Sequence, residues 1–266
     1  MHGGTAMARN PVQFQKGLSL SEFNARYGRE KQCHTALIEM RWPEGFVCPK
    51  CGGRKHSYAK ARRIFQCSAC RMQTSVKAGT IFHKSRTPLI KWFLAIYLLT
   101  QSKNDIAALE LARQLGVKWD TAWLIKQKLM ETMRLRNRNY KLKGDVQLDD
   151  AYLGGEKPGK RGRGAANKSA FVIAVQTRED KPIYTQLRCV AGFTNSEIKA
   201  YAAASIEAGS PVATDGLACF AALTSAGMVH RPIVTGGGRP DEPELKWVNT
   251  GLGNIKSAIA GTCRAV

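Results

Sequence analysis

The sequence predicts a multi-domain α+β protein: an N-terminal zinc ribbon, a helical segment with helix-turn-helix spacing, and a C-terminal α/β core. Three observations carry this. Four of the eight cysteines fall as Cys48-Pro-Lys-Cys51 and Cys67-Ser-Ala-Cys70, with 15 residues between the pairs, the spacing of a structural zinc site. Apolar residues recur at helical intervals from Leu89 to Arg136 and give way near residues 140–144 to short strand-like runs. Finally, 41 Lys+Arg stand against 20 Asp+Glu, a formal net charge of +21 with a pI of about 9.9.

These signals divide the 266 residues into an N-terminal helical segment (1–40), the ribbon (41–80), a helix-turn-helix region (87–140) and the core (144–266). Residues 1–17 are polar and irregular, and disorder is expected there. Leu20, Phe23 and Tyr27 recur at helical spacing behind Ser19 or Ser21 as cap. A second helix is expected from about Glu30 to Met40. In the ribbon, two cysteines three apart in a tight turn both face one ion, and four thiolates close a tetrahedral zinc shell. Lys55 to Gln66 alternates as a hairpin, and His56 reads as a solvated residue of it. The competing readings are chance cysteines or a redox pair, but no thioredoxin-like βαβ context surrounds the motif. Cys33, Cys189, Cys219 and Cys263 read as small core fillers.

Beyond a basic linker (Lys77 to Arg86), Thr87 is the expected cap and Pro88 the first-turn residue of an apolar helix, Leu89 to Thr100. Ile106 to Leu115 and Trp119 to Arg136 are helices joined by a short link at Gly116, a helix-turn-helix arrangement. Lys118, Lys126 and Arg134 put positive charge on or beside the second of them, as a groove-entering helix requires. An ordinary helical hairpin with a solvated basic face is the alternative. Later, Lys157-Pro-Gly-Lys-Arg-Gly-Arg-Gly164 is a basic glycine-rich loop whose Arg161 and Arg163 suit phosphates, or else a flexible turn.

The charge excess points to a polyanion, and nucleic acid is the commonest. No long basic amphipathic helix favours a membrane surface. The longest apolar run, Trp92 to Leu99, is far short of the roughly 20 residues a bilayer requires. No secretory h-region opens the chain, so a cytoplasmic location with reduced cysteines is expected.

In the core, Gly144 to Gly155 is a short strand closed by a Gly-Gly turn, with Asp149 and Asp150 at its centre. One of two successive strand residues points inward, and an inward carboxylate is costly unless paired or bound to a cation. Hard Mg²⁺ suits such oxygens; two solvated acids at a strand end are the bland alternative. Phe171–Val175 and Ile183–Val190 are further strands around a Glu179–Pro182 turn. Thr194 to Ser196 caps a helix to about Ala208. Pro211 to Asp215 is a strand ending in a single acid, Leu217 to Ala226 a helix, and Pro232 to Thr235 a strand after His230. Asp149 and Asp215 could lie side by side at strand ends and hold a pair of metals for phosphodiester chemistry. A third ligand is expected within Trp247 to Lys256.

On Cys48/Cys51/Cys67/Cys70, Leu148-Asp149-Asp150-Ala-Tyr-Leu-Gly-Gly155, Ala213-Thr-Asp215-Gly216 with His230, and Asn249…Lys256 followed by Gly261-Thr262, the chain resembles the zinc-ribbon DDE transposases of bacterial insertion sequences. The resemblance runs from about residue 18 onward. It implies an RNase H-like catalytic core using two Mg²⁺ or Mn²⁺ ions, structural Zn²⁺, and strand transfer at element ends. It also implies double-stranded DNA as partner (transposon ends and target), a homo-oligomer on DNA, and a nucleoid-associated location in the bacterial cytoplasm. Asp149 and Asp215 become the first and second metal ligands, and Asp150 is secondary. Many members have Glu where this chain has Asn249, which offers a carbonyl oxygen but no charge; Asn254 is the candidate in a shifted register. Lys256 is a phosphate contact, and His230 is secondary. The family usually continues beyond the position of Val266, so a C-terminally truncated, inactive copy that still binds DNA is the second expectation. A zinc-ribbon and helix-turn-helix regulator with a structural α/β part is the non-enzymatic reading, and the separation of Asp149 from Asp215 discriminates the two.

Overall fold

The computed structural model describes residues 17–101, 105–154, 168–233 and 243–262. Residues 1–16 of the stretch expected to be disordered (1–17), the basic loop with Arg161 and Arg163, and Cys263 lie outside the described residues. The chain divides into two compact units, Lys16–Met133 and Arg134–Val266, with the division inside one helix.

In the first unit, α1 (Leu20–Tyr27) starts at Ser19 in a capping box: the Ser19 hydroxyl accepts from the Glu22 N–H, and the Glu22 carboxylate accepts from the Ser19 N–H. Next come α2 (Glu30–Arg41) and a three-stranded antiparallel sheet, β1 (His56–Ala59), β2 (Ile64–Cys67) and β3 (Gln73–Ser75). The third strand was not expected. Three helices complete the unit: α3 (Leu89–Gln101), α4 (Ala108–Leu115) and α5 (Trp119–Arg138). Gly116 ends α4 in the left-handed conformation (φ 59), a turn glycine accepts at little cost. One apolar cluster joins Phe23, Leu37, Trp42, Phe46, Phe65, Trp92, Leu111 and Ile125. The ribbon therefore does not stand on its metal alone; its aromatic residues share the helical core.

The start of α3 corrects one expectation. Its first N–H groups are satisfied not by Thr87 but by Glu30 of α2, whose two carboxylate oxygens accept from Leu89 N and Ile90 N at 3.0 Å each. A negative charge also suits a helix N-terminus. The isolated cysteines are only partly core fillers: Cys33 and Cys219 are buried, whereas Cys189 is exposed. Cys33 donates its S–H to the Tyr27 carbonyl, and burial pushes the thiol up to about 11.

The second unit holds β4 (Val146–Leu153), β5 (Ser169–Arg178), β6 (Lys181–Cys189), α6 (Asn195–Ser205), β7 (Pro211–Thr214), a 3₁₀ turn over Ala218–Ala221, α7 (Ala222–Ser225), β8 (Val229–Pro232) and α8 (Lys246–Thr262). The sheet order is β6-β5-β4-β7-β8. β4, β5 and β6 run antiparallel, while β4, β7 and β8 run parallel. β5 is apolar from Ala170 to Val175 because both faces are covered. Val172 and Ala174 join the cluster with α6 and α7, and Phe171, Ile173 and Val175 join the one with α8. The last strand begins earlier than expected, at Val229, so His230 lies within it rather than before it.

Removing the remote cap tests this packing. Glu30→Ala is expected to destabilise the protein by about 1–2 kcal/mol in urea denaturation, while Thr87→Ala changes stability by less than about 0.5 kcal/mol.

Candidate metal centres

Two groups of ligating side chains converge among the described residues, each with its donor atoms within 4.8 Å of one another: Cys48, Cys51, Cys67 and Cys70, and Asp149, Asp150 and Asp215.

The cysteines sit on two matching turns. Cys48 N donates to Gly53 O and Gly52 N to Cys48 O; Cys67 N donates to Met72 O and Arg71 N to Cys67 O. The residue after each pair is left-handed, Gly52 at φ 72 and Arg71 at φ 59. Cys48 and Cys70 sulfurs are 3.5 Å apart, Cys51 and Cys67 sulfurs 3.6 Å. A tetrahedral shell with Zn–S of about 2.3 Å has S···S edges of about 3.8 Å, so the set fits zinc after a small expansion. Gly53 leaves the necessary room: a β-carbon there would lie 3.3 Å from Cys67 Sγ and 3.4 Å from Cys51 Sγ. Burial opposes a charged Cys48 sulfur, but the N–H groups of Cys51 and Lys50 and the adjacent thiols outweigh it and draw the thiol down to about 6. The Cys70 N–H lowers Cys67 likewise. The Gly53 N–H lowers Cys51, yet the other three sulfurs push it up to about 12. Four sulfurs cannot all carry charge unaided, and a divalent cation removes that conflict. His56 is exposed, lies tilted against the rings of Phe46 and Phe65, and is absent from the sulfur cluster.

The acids come from the parallel neighbours β4 and β7. Val146 pairs with Val212 and Gln147 with Ala213. Carrying that offset two residues further sets Asp149 level with Asp215. The pairing stops at Gln147 because β7 turns away at Gly216 (φ 82). In that turn Asp215 Oδ1 accepts the Leu217 N–H at 3.1 Å. On β4, Asp149 Oδ1 accepts the Asp150 N–H at 2.8 Å. Strand alternation predicts one acid inward and one outward; instead both are half-buried and both join the cluster. Beyond Gln147 the strand no longer has its β7 partner, so the gap is open to both. The donor set is all carboxylate oxygen, the chemistry of Mg²⁺ or Mn²⁺ rather than zinc.

Thr214, fully buried, precedes Asp215. Its hydroxyl accepts the Gly216 N–H at 3.2 Å and shares a 2.9 Å hydrogen bond with His230 Nε2 on β8. The bond's direction follows the ring tautomer. His230 thus braces the Asp215 turn and is absent from the acidic cluster. Burial holds its imidazole below the ordinary value of 6.5.

Asn249 is half-buried in the first turns of α8, next to the buried Val248. Lys256, exposed, lies two turns along the same stripe, and Asn254, also exposed, lies on a different face. α8 approaches β5 closely at Gly251, where a β-carbon would come within 2.9 Å of Ile173 Cδ1. Ile173 is the cross-strand partner of Asp149.

The proposed DNA-facing cations divide. Lys118 and Arg134 are exposed. Lys126 corrects the expectation: it is buried, and its Nζ donates to Ile106 O at 2.6 Å and pairs with Asp105 Oδ2 at 2.7 Å. Its charge holds the turn before α4 and does not face solvent. Conversely, Trp119 and Trp123 of α5 are exposed and stack at 6.3 Å. Sequence reading missed Thr214 and Gln147; the available signal for Gln147 was an amide at a core-facing position of an apolar strand. Among the described residues no helix is long and apolar enough to cross a membrane.

Residues 28–73 match the family model of a transposase zinc-ribbon domain, and residues 141–266 match that of the ISXO2-like transposase domain. An uncharacterised protein in the transposable element ISH50 of Halobacterium salinarum is 28% identical over 137 residues, 50% of this chain and 44% of that protein. The chain thus spans under half the length of that relative. The structure of a pre-cleavage Mos1 transpososome aligns with 60% of this chain and 64% of its own at 12% identity, with a TM-score of 0.24.

Chelation is expected to remove about one zinc per chain and to lower the melting temperature of a fragment spanning the ribbon and helices; zinc analysis near zero in the purified protein contradicts the ribbon site. The His230 contribution to stability is complete above pH 6.5 and is lost as pH falls through its depressed folded value. Melting curves from pH 7.5 to 5 should therefore fall less steeply for His230→Gln than for the wild type.

Proposed function

From a chain that belongs, by its ribbon and its C-terminal domain, to the zinc-ribbon ISXO2-like transposases, we propose a divalent-metal-dependent enzyme that cleaves and transfers DNA strands at the ends of an insertion sequence. The observation that carries this is the convergence of Asp149, Asp150 and Asp215 from separate stretches of chain. The strand order, three antiparallel strands followed by two parallel to the first, supports reading the unit as an RNase H-like core with the acids on its central strands.

In this reading Asp149 and Asp215 hold the cations, and Asp150 adds a third carboxylate from the same gap. Mg²⁺ or Mn²⁺, when bound, supplies charge neutralisation at the scissile phosphate and activation of the attacking hydroxyl. Asn249 offers a neutral carbonyl oxygen in place of a third acid. Lys256, on the same stripe of α8, offers a cation for a DNA phosphate as a point charge. His230 sets the Asp215 turn through Thr214. The protein's role is to orient water, and then a 3′-hydroxyl, in line with the phosphodiester.

The positive charge of the whole chain supports DNA as the partner. The α4–turn–α5 segment is its proposed helix-turn-helix, with Lys118 and Arg134 as phosphate contacts, joined by Arg161 and Arg163 of the basic loop. A homo-oligomer assembled on DNA in the bacterial cytoplasm completes the reading.

The test is Mn²⁺-dependent cleavage of a duplex carrying the element ends. Asp149→Asn and Asp215→Asn are expected to lower the rate about a hundredfold or more, the equivalent of several kcal/mol of lost charge stabilisation, while retaining DNA binding. Equal cleavage by all three proteins would refute the site. Equal DNA binding with no cleavage by any, wild type included, would leave a DNA-binding protein only.

A further inference from the structure

Gln147 is 7% exposed on β4, at a position where an apolar side chain would pack. A buried amide is costly without partners, and Gln147 has two. Its Oε1 accepts from Trp247 N at 2.8 Å and from Val248 N at 3.0 Å, about 100 residues away in sequence. These are N–H groups of the first turn of α8, which follows directly on a 3₁₀ turn over Pro243–Leu245, and first-turn N–H groups need acceptors from outside their helix. Gln147 therefore caps the first turn of α8 from a strand.

Its place gives the bond a second consequence. Gln147 and Asp149 are two residues apart on one strand and so point to the same face. Val248, whose N–H it receives, directly precedes Asn249. One side chain thus ties the helix bearing Asn249 to the strand bearing Asp149. The indole of Trp247 fixes the same turn from the other side, donating from Nε1 to the backbone and side-chain oxygens of Asp180 at 3.1 Å each. The close approach at Gly251 allows α8 to lie down on the sheet one turn later.

We propose that Gln147 is a positioning residue of the acidic metal centre: by capping α8 it sets the depth at which Asn249 meets the cation held by Asp149 and Asp215. This rests on the metal-centre reading above, and its test separates the two. Mn²⁺ affinity of the purified protein is measured by electron paramagnetic resonance, and amide hydrogen exchange of the 246–252 segment reports the cap. Gln147→Met, which keeps the shape and removes the acceptor, is expected to raise exchange at the start of α8 and to lower Mn²⁺ affinity about tenfold, as loss of an orienting partner does. Asn249→Ala should lower affinity by a similar factor without raising exchange, and the double variant should be no weaker than either single one. Gln147→Glu, which retains the acceptor, should restore low exchange. If Gln147→Met does not fold, Gln147→Asn, too short to reach the helix, takes its place. Multiplicative losses in the double variant, or raised exchange with unchanged Mn²⁺ affinity, would overturn the positioning role. Wild-type Mn²⁺ affinity in Asp149→Asn and Asp215→Asn would refute the centre itself, and the positioning role with it.

Discussion

The parallel pairing of β4 with β7 is the constraint on which the candidate site depends. Only two register pairs join the strands, yet they set the offset that brings Asp149 level with Asp215. A slip of one residue would turn one acid to the opposite face. The hydrophobic layers forbid it: Val146, Leu148 and Val212 are buried on the α6 and α7 side, and β5 is sealed on both faces. Packing that is indifferent to chemistry thus specifies where three carboxylates meet. The charges it gathers oppose one another, and a divalent cation bound among them would relieve that opposition.

Helix placement in both units follows a second, shared device. α3 and α8 each take first-turn acceptors from a side chain remote in sequence: Glu30 serves α3, and Gln147 serves α8. A local cap fixes only where a helix begins, whereas a remote cap also fixes which neighbour it begins against. Each bond pair is worth about 1–2 kcal/mol, modest beside hydrophobic burial, but directional where burial is not. The difference in charge is consistent with position. Glu30 is partly exposed, where a carboxylate remains solvated, while Gln147 is buried beside the acidic cluster, where a neutral amide adds no repulsion.

Local patterns in the sequence revealed much of this. The ribbon cysteines, the Ser19 cap, the Gly116 stop and both acids were legible because each signal is contained in a few residues. The features that escaped are those decided by neighbours remote in sequence. Thr87 had the composition of a cap, but Glu30 reaches the helix first. Lys126 looked solvated by residue type, and only the fold brings Asp105 and the Ile106 carbonyl to it. Trp119 and Trp123 had helical spacing, but α5 buries Ala122, Ile125 and Leu129 and turns the tryptophans outward. His230 was legible as part of the site region but not as a brace, because its partner Thr214 is on another strand.

The proposed chemistry requires Asp149 and Asp215 to grip a divalent cation between adjacent strand ends. Anomalous diffraction at the manganese edge from Mn²⁺-soaked crystals measures this without reference to activity. A peak within coordination distance of a carboxylate oxygen from each residue is expected. Ordered Mn²⁺ elsewhere on the chain, with no density between these two side chains, would contradict it.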